Sequence, residues 1–364
     1  MKVLSVFGTR PEAVKMAPVV AELRKQGAIE SRVLVTAQHR EMLDQVLGIF
    51  KITPDYDLDV MRPNQTPTEV MARVLTELQP VLAEFRPDWV LVQGDTTTVL
   101  AAALGAAYAR VKVGHVEAGL RTYDRDNPFP EELNRVLADQ ISDLHFAPTQ
   151  LSAEALYKEG IPAERVHVTG NTAIDALRTI IAQAPTGDLP PTPPDKRLLL
   201  VTAHRRENFG APLQGIIAAL GRLAEREDVH VLYPVHRNPN VWEPVHAALG
   251  DKPNVTLIPP VDYLNFAHLM ARATLILTDS GGIQEEAPGL GKPVLVLRKV
   301  TERPEAVMAG TAKLVDTDPE VIVREASRLL DDESAYEAMA RAINPFGDGH
   351  AAEKIVAALL GNDK

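Results

Sequence analysis

Carboxylates follow predicted strands at several points in the first half of the sequence. Asp95 and Glu117 each come directly after an apolar run, and Glu131 lies in a proline-rich turn before the next helical pattern. Carboxylates that gather at one end of a parallel sheet raise one another's pKa, so a pair can supply an acid and a base near neutral pH. Singly, Asp95 also suits a helix N-cap, and Glu131 suits the first turn of a helix. Their grouping favours acid–base chemistry.

An anion-binding turn is predicted within residues 273–303 of the second half. A β-rich apolar run is followed by Asp-Ser-Gly-Gly at 279–282 and by a short helical segment that carries Glu286. The glycines let the backbone approach a ligand, and the free N–H groups of a helix N-terminus attract a diphosphate. Glu286 suits a ribose diol, and Arg303 adds a cation further along. The four-residue turn alone is equally consistent with an ordinary capped strand–turn–helix.

Cations and histidines follow other predicted strands. Arg10 and Lys15 lie just beyond the first strand, where they would face an anion unless they pair with surface carboxylates. This region has neither a GxGxxG fingerprint nor a GxxxxGKS/T loop, so bound NAD is not expected. His204 and His236 suit phosphate contacts, and with the carboxylates a metal site is the alternative, although no HExxH, HxH or DxD spacing supports one. Phe266 suits either base stacking or the core.

Strand and helix patterns alternate along the whole chain. Apolar runs predict strands at 3–7, 32–36, 89–92, 111–116, 144–147 and 166–169, and again at 198–202, 229–234, 255–258, 274–278 and 294–297. A segment with five prolines, 183–196, connects the two series. This alternation predicts an α/β protein with two Rossmann-like doubly wound domains that face a cleft, where ligands bind beyond the carboxyl ends of the strands.

Composition argues against several classes of protein. The chain has 364 residues, of which 45% are hydrophobic and 24% charged, and its formal net charge is −11. This length predicts two globular domains, and the negative charge without a Lys/Arg-rich run argues against a nucleic-acid partner. With no cysteine, disulfides and thiolate chemistry are excluded. No apolar run reaches the ~20 residues of a membrane span, which predicts a cytoplasmic protein without a membrane partner.

Taken together, these motifs resemble the non-hydrolysing UDP-N-acetylglucosamine 2-epimerase family. The matching stretches include FGTRPEAVKMAP at 7–18, QGDTTT at 93–98, VGHVEAGLRT at 113–122, PEELNR at 130–135, TAHRREN at 202–208, TDSGGIQEEAP at 278–288 and TERPEAV at 301–307. The resemblance implies the GT-B fold, with 1–168 and a C-terminal helix at about 349–364 in one domain and 169–348 in a UDP-binding domain. It also implies a UDP-sugar substrate, a homodimer, no cofactor and no metal.

The resemblance also assigns roles to individual residues. It implies acid–base roles for Asp95, Glu117 and Glu131, and a catalytic or phosphate-contacting role for His204. Contacts with UDP are implied for Arg10, Lys15, Phe266, Ser280, Gly281, Gly282, Glu286 and Arg303, with Phe266 beside the uracil. Some bacterial members are activated by UDP-N-acetylglucosamine at a second position, which Gln38, His39, Arg40, Arg206 and His236 would line here. Glu41 and Asn64 occupy positions where some members have Gln and Arg.

The implied reaction inverts C2 of a sugar nucleotide. That carbon is not next to a carbonyl, so its hydrogen is not acidic, and oxidation at C3 would need a nicotinamide for which the fingerprint is missing. The family is understood to eliminate UDP with loss of the C2 proton, and to add UDP back after reprotonation on the other face. This route needs anion binding and two acid–base groups. A hydrolysing epimerase, a GT-B glycosyltransferase and a nucleotide-sugar sensor without turnover are the alternatives.

Overall fold

The computed structural model describes residues 1–37, 40–62 and 64–361. The chain divides into two compact units, which we call the first unit, Met1–Thr179 with Phe346–Lys364, and the second unit, Ile180–Pro345. Each unit is built around its own parallel sheet.

The unit boundaries differ from the predicted 168/169 and 348/349 positions. Residues 169–179 and 346–348 lie in the first unit. The backbone N–H of Asn171 donates to the carbonyl of Phe346 at 2.7 Å. The buried Asp175 carboxylate accepts the first N–H groups of the last helix, at 3.2 and 2.9 Å. These backbone bonds hold the end of the chain against the segment that follows residue 168.

A seven-stranded parallel sheet forms the centre of the first unit. Its strands are β1 (Lys2–Phe7), β2 (Glu30–Val35), β3 (Tyr56–Asp57), β4 (Trp89–Gln93), β5 (Lys112–Val116), β6 (Leu144–Ala147) and β7 (Val166–Val168). They lie in the order β3-β2-β1-β4-β5-β6-β7. The order reverses between β1 and β4, and such a reversal leaves a crevice beyond the carboxyl ends of the two strands.

Helices connect these strands. They are α1 (Arg10–Lys25), α2 (Arg40–Ile49), α3 (Pro67–Phe85), α4 (Thr97–Tyr108), α5 (Glu131–Ile141), α6 (Gln150–Lys158) and α7 (Thr172–Ile181). Capping boxes start α1 and α3, where a threonine N-cap is followed three residues later by a glutamate and by proline in the first turn. Helix α4 is rich in alanine and packs against both α3 and α5, because small side chains allow close approach.

The second unit repeats this architecture. Its strands are β8 (Arg197–Thr202), β9 (Val229–Pro234), β10 (Val255–Ile258), β11 (Leu275–Thr278), β12 (Val294–Val296) and β13 (Ala312–Leu314), in the order β10-β9-β8-β11-β12-β13. Its helices are α8 (Ala211–Leu223), α9 (Pro239–Leu249), α10 (Tyr263–Arg272), α11 (Gly281–Glu286), α12 (Pro304–Met308), α13 (Pro319–Asp331) and α14 (Glu333–Ala340). The reversal of strand order falls between β8 and β11. Helix α15 (Ala351–Leu359) then packs against α1 in the first unit.

The central strands of both sheets are covered on both faces, which explains why they read as continuous apolar runs. All five residues of β4 are buried, and the core of the second sheet includes Leu199, Val201 and Leu277, each with 0% exposure. The predicted fold class, two Rossmann-like doubly wound sheets, is confirmed. Within the described ranges, no helix is long and apolar enough to cross a membrane.

Candidate active site

In the first unit, neighbouring strand ends bring two of the predicted acids together. In the pairing of β4 with β5, Gln93 lies opposite Val116. Asp95 is two residues beyond Gln93 and Glu117 is one residue beyond Val116, so both acids follow the same edge of the sheet. Gly94 has φ 82° and Glu117 has φ 65°, both left-handed conformations. Such backbone conformations are rare for residues other than glycine, and they turn the chain sharply where a strand ends. The backbone therefore holds Glu117 in an unusual, defined orientation.

The Glu117 carboxylate is surrounded by donors from three elements. Only 8% of its side chain is exposed, and Lys15 of α1 forms an ion pair with Oε1. Gln93 Nε2 donates to Oε2 at 2.5 Å, and Asn171 Nδ2 donates to Oε1 at 3.0 Å. Fixed donors of this kind orient a carboxylate for chemistry. Lys15, predicted as a contact of UDP, is thus a partner of Glu117 in this structure.

Asp95 lies among charges of both signs. Its side chain is 30% exposed, and Oδ2 is 2.7 Å from Arg135 Nη2. Removal from water raises the pKa of the Asp95 carboxyl above its ordinary value, against the opposing effect of Arg135. The charges of Glu117 and Glu131 raise this pKa further, whereas Lys15 lowers it. The structure therefore couples all three predicted acids electrostatically.

Glu131 is the first residue of α5 and is half-buried. It thus also has the first-turn position that the helix dipole favours. The next residue, Glu132, is buried and accepts the N–H groups of Thr122 at 3.1 Å and Tyr123 at 2.9 Å. Asn134 of the same helix donates to the carbonyl of Asp95 at 2.9 Å. Helix α5 therefore supplies both an acid and the groups that hold neighbouring loops.

Arg10 begins α1 and is half-buried; its side chain makes no hydrogen bond or ion pair with the residues that the structure describes. Two positions later, the buried Glu12 accepts from the N–H groups of Gly8 at 3.1 Å and Thr9 at 2.7 Å, and from Thr96 Oγ1 at 2.8 Å. Burial raises the pKa of Glu12. The sequence singled out Arg10 but missed Glu12, which joins the loop after β1 to the start of α4.

In the second unit, Asp279 holds the loop that carries His204. It was predicted as part of an anion-binding turn, but its side chain is wholly buried. Oδ2 accepts from the N–H groups of His204 and Arg205, both at 2.8 Å, and from Asn208 Nδ2 at 3.0 Å. Oδ1 has no hydrogen bond within the described part of the chain and lies 3.4 Å from His204 Nδ1. A buried carboxylate beside a ring nitrogen fixes the orientation of the imidazole.

The two predicted histidines of the second unit lie together. The rings of His204 and His236 stack with centroids 5.8 Å apart and an interplanar angle of 16°. His204 keeps 44% of its side chain exposed, and His236 accepts the N–H of Asn238 at 3.1 Å through Nδ1. His204 is therefore held from one side by Asp279 and remains open to solvent on another.

Three arginines surround one carboxylate beside this loop. Arg205 Nη1 is 3.1 Å and Arg298 Nη1 is 3.4 Å from Glu302 Oε1. Although burial opposes ionisation, the guanidinium groups of Arg205, Arg298 and Arg303 hold the pKa of Glu302 below its ordinary value. A Cβ added to Gly281 would lie 3.9 Å from the guanidinium atoms of Arg205 and Arg303. The glycine turn thus lies next to a concentrated positive charge.

The remaining predicted residues of the turn are close in sequence and differ in exposure. Ser280 is the N-cap of α11, and its N–H donates to Thr278 Oγ1 at 3.0 Å. Gly282 is exposed, and Glu286 is half-buried at the end of α11. Phe266, on α10, is also half-buried, so it is not a residue of the closed core.

The predicted second nucleotide-sugar position is described only in part. Gln38 and His39 lie outside the described residues. Arg40, the first residue of α2, makes a bidentate ion pair with Asp57 at 2.5 and 2.9 Å. Arg206 is exposed.

A metal site is not evident in the described ranges, since no group of three or more His, Asp or Glu side chains there could hold an ion. The chain has two Rossmann-like sheets, with coupled carboxylates at the strand ends of one and clustered arginines at the strand ends of the other. This arrangement is typical of α/β enzymes that act on anionic ligands.

Comparison with known proteins narrows this class. A family model described as UDP-N-acetylglucosamine 2-epimerase matches residues 21–360. The UDP-N-acetylglucosamine 2-epimerase of Escherichia coli strain K12 is 56% identical over 372 residues, covering 100% of this chain and 99% of the relative. The enzyme of that name from Yersinia pestis is 56% identical, covering 99% and 98%. A crystal structure of UDP-GlcNAc 2-epimerase from Neisseria meningitidis, bound to UDP-GlcNAc, has 50% identity and a TM-score of 0.88, with full coverage of both chains. The chain belongs to the UDP-N-acetylglucosamine 2-epimerase family.

Proposed function

We propose that this protein interconverts UDP-N-acetylglucosamine and UDP-N-acetylmannosamine by inversion at C2. Family membership and full-length relatives of that name support the epimerase activity. The observation that carries the chemical proposal is the electrostatic coupling of Asp95 with Glu117 and Glu131, together with the donors that fix Glu117. Carboxylates that share a site can divide the work between a base that removes a proton and an acid that returns one.

The proposed route is elimination followed by readdition. A carboxylate removes the proton from C2 while the C1–O bond to UDP breaks, which leaves a C1=C2 double bond in a 2-acetamidoglucal. A second acid then protonates C2 from the opposite face as the UDP oxygen adds back to C1. The sugar is neither oxidised nor reduced overall, so the reaction needs no redox cofactor. The departing diphosphate is negatively charged, so the barrier falls if cations stabilise it.

The two units contribute different parts of this reaction. In the first unit, Asp95, Glu117 and Glu131 exchange protons with the sugar, and Arg10 contacts the diphosphate. In the second unit, Ser280 and the glycine turn approach the diphosphate, Arg303 pairs with it, Glu286 binds the ribose and Phe266 contacts the uracil. The guanidinium groups beside Gly281 support this placement of negative charge.

His204 contacts the phosphate or the leaving oxygen in this proposal. Its backbone is fixed by Asp279, and its Nδ1 lies beside the buried Oδ1 of the same carboxylate. This arrangement directs Nε2 away from Asp279. In the imidazolium form both ring nitrogens are donors, so Nε2 can then donate to an oxygen that gains charge as the C1–O bond breaks.

Solvent exchange during turnover tests the proposed route. Incubation with UDP-N-acetylglucosamine in D2O should give UDP-N-acetylmannosamine with deuterium at C2, detected by NMR and mass spectrometry. Free N-acetylmannosamine as the sole new sugar would indicate a hydrolysing epimerase. Consumption only with an added acceptor would indicate a glycosyltransferase, and binding without exchange would indicate a sensor. A parallel assay with EDTA tests the proposal that no metal takes part, and the absorbance spectrum of the purified active protein tests the proposal that no nicotinamide or flavin takes part.

We also propose that the enzyme is a homodimer with a second UDP-N-acetylglucosamine position lined by Gln38, His39, Arg40, Arg206 and His236. The family resemblance supports both statements. Sedimentation velocity tests the dimer. Sigmoidal dependence of the reverse reaction on added UDP-N-acetylglucosamine, lost in Arg206→Ala, would support the second position, and hyperbolic kinetics would contradict it.

A further inference from the structure

A buried histidine lies beneath the candidate acids. His115 is on β5, two residues before Glu117, and its side chain is completely inaccessible to solvent. Its Nδ1 is 2.6 Å from Asp139 Oδ1, and its Nε2 is 2.7 Å from the carbonyl oxygen of Gly94. A backbone carbonyl only accepts hydrogen bonds, and so does an ionised carboxylate. Both ring nitrogens must therefore donate, which only the imidazolium form can do.

We propose that His115 is held as an imidazolium and acts as a positioning residue for Asp95 and Glu117. The role in proton transfer rests on the function proposed above, whereas the protonation state does not. His115 contacts neither the sugar nor the nucleotide in this proposal. It acts through the two loops that carry the acids.

The charges around His115 support a protonated ring. Asp139, on α5, also accepts the N–H of Gly119 at 3.2 Å and pairs with Arg121 at 2.7 Å. Burial opposes both charges, but their mutual attraction lowers the pKa of Asp139 and raises the pKa of His115. Arg121 lowers the pKa of His115, but it is itself paired with Glu159 at 2.7 Å.

One further titratable group is near this pair. His145, on β6, lies opposite His115 in the sheet. Its Nε2 is 2.7 Å from the backbone carbonyl oxygen of Asp139, and its Nδ1 is 3.3 Å from the carbonyl oxygen of Arg165. Burial lowers the pKa of His145, and so does the charge of His115. The Nδ1 contact of His145 is long, so one N–H directed at Asp139 suffices for a neutral ring, whereas both nitrogens of His115 have an acceptor within 2.7 Å.

The backbone geometry shows why this pair matters for the acids. Gly94 immediately precedes Asp95 and has a left-handed φ of 82°, and its carbonyl is held by His115. Gly119 follows Glu117 by two residues, has φ 86°, and has its N–H held by Asp139. Glu117 itself has a left-handed φ, which persists only where surrounding contacts fix it. The His115–Asp139 pair thus ties down both loops at once.

The first experiment compares His115→Gln with His145→Gln. Glutamine can donate to only one of the two acceptors of His115, so the Gly94–Asp95 turn loses a fixed contact. We expect kcat of His115→Gln to fall roughly 30- to 100-fold with KM and UDP affinity little changed, since misplacement of a catalytic group by ~1 Å costs about that much. His145→Gln removes an equally buried histidine that does not reach Gly94, and its kcat should stay within about threefold of wild type. Equal loss in both variants, or a normal kcat in His115→Gln, would overturn the positioning role.

The second experiment observes the proton directly, and its diffraction arm needs only the wild-type protein. Neutron diffraction of the wild-type protein, or ¹⁵N NMR of its labelled histidines assigned with His145→Gln, should show both ring nitrogens of His115 protonated at neutral pH. A single protonated nitrogen would place the proton on Asp139 and refute the proposal. If both nitrogens are protonated but Asp95→Asn and Glu117→Gln turn over normally, the proposed catalytic roles fail while the protonation state of His115 stands.

Discussion

The strand ends of the two units carry different sets of charged side chains on similar sheet topologies. In the first unit, Lys15 and Arg135 lie among three candidate acids at the reversal of strand order. In the second unit, three arginines surround the half-exposed Glu302, and two of them also pair with Glu207 and Glu285. The Rossmann-like order of strands determines where a ligand can approach, and the side chains at the strand ends determine what chemistry follows. In the proposed function, the first unit therefore supplies the acids that move protons and the second supplies the groups that bind the anion.

The largest expected effect concerns the acids of the first unit. Asp95→Asn, Glu117→Gln and Glu131→Gln should each lower kcat by ~10² or more, because each removes a group that exchanges a proton in the transition state. Affinity for UDP should stay nearly unchanged, as measured by calorimetry beside steady-state kinetics. Asp126→Asn, in an exposed loop of the same unit, is the control and should behave as wild type. A variant with normal turnover would remove that residue from the mechanism.

Arg303→Gln should instead weaken the binding of UDP more than it lowers kcat. Loss of a charge-assisted hydrogen bond costs about 1.5–3 kcal/mol, so the affinity for UDP should fall roughly 10- to 100-fold. Because Arg303 also pairs with the buried Glu285, the double variant Arg303→Gln/Glu285→Gln is needed to remove both charges together. Calorimetry with UDP measures the change, and the exposed Arg328→Gln serves as the control. Unchanged UDP affinity in the double variant would contradict the division of roles between the units.

Arg135→Gln tests whether the cation in the acidic cluster sets the working pH. Arg135 lowers the pKa of Asp95 against burial and the neighbouring carboxylates. Without it, this pKa should rise further, because an opposite charge this close favours the ionised carboxylate. If Asp95 acts as a base, the acidic limb of the kcat profile should move to higher pH. An unmoved limb would show that another group controls it.

The contrast between the units explains how much the sequence could predict. The fold class, most strands and the strand-end acids are visible, because apolar runs and the polar residues after them are local features. The short strands β3 and β13 were missed, since two or three residues carry too little pattern. Asp139 was also missed, although Glu131, Arg135 and Asp139 recur every four residues and so share one face of α5.

Contacts between residues far apart in sequence could not be predicted from local patterns. His115 lies 24 positions before Asp139 and reads as part of an apolar strand, so its pairing is known only from the fold. Asp279 was predicted only as part of the anion-binding turn; its role as the buried acceptor of the loop at 203–208 depends on hydrogen bonds to residues more than 70 positions away. The buried partners of functional groups are far from those groups in sequence, so no local pattern predicts them.

The smallest effect should come from Glu302, the carboxylate within the arginine cluster. It is 46% exposed and lies 3.1 Å from Arg205, so its negative charge occupies guanidinium groups that a diphosphate would use. Glu302→Gln should therefore tighten UDP binding about two- to threefold, a modest change because partly exposed ion pairs contribute less than ~1 kcal/mol. Titration calorimetry at low and high salt measures it, and the gain should shrink with salt. Weaker binding in Glu302→Gln would mean that this carboxylate orients the arginines rather than competing with the anion. The second unit would then resemble the first, where Lys15 and Arg135 hold the carboxylates in place.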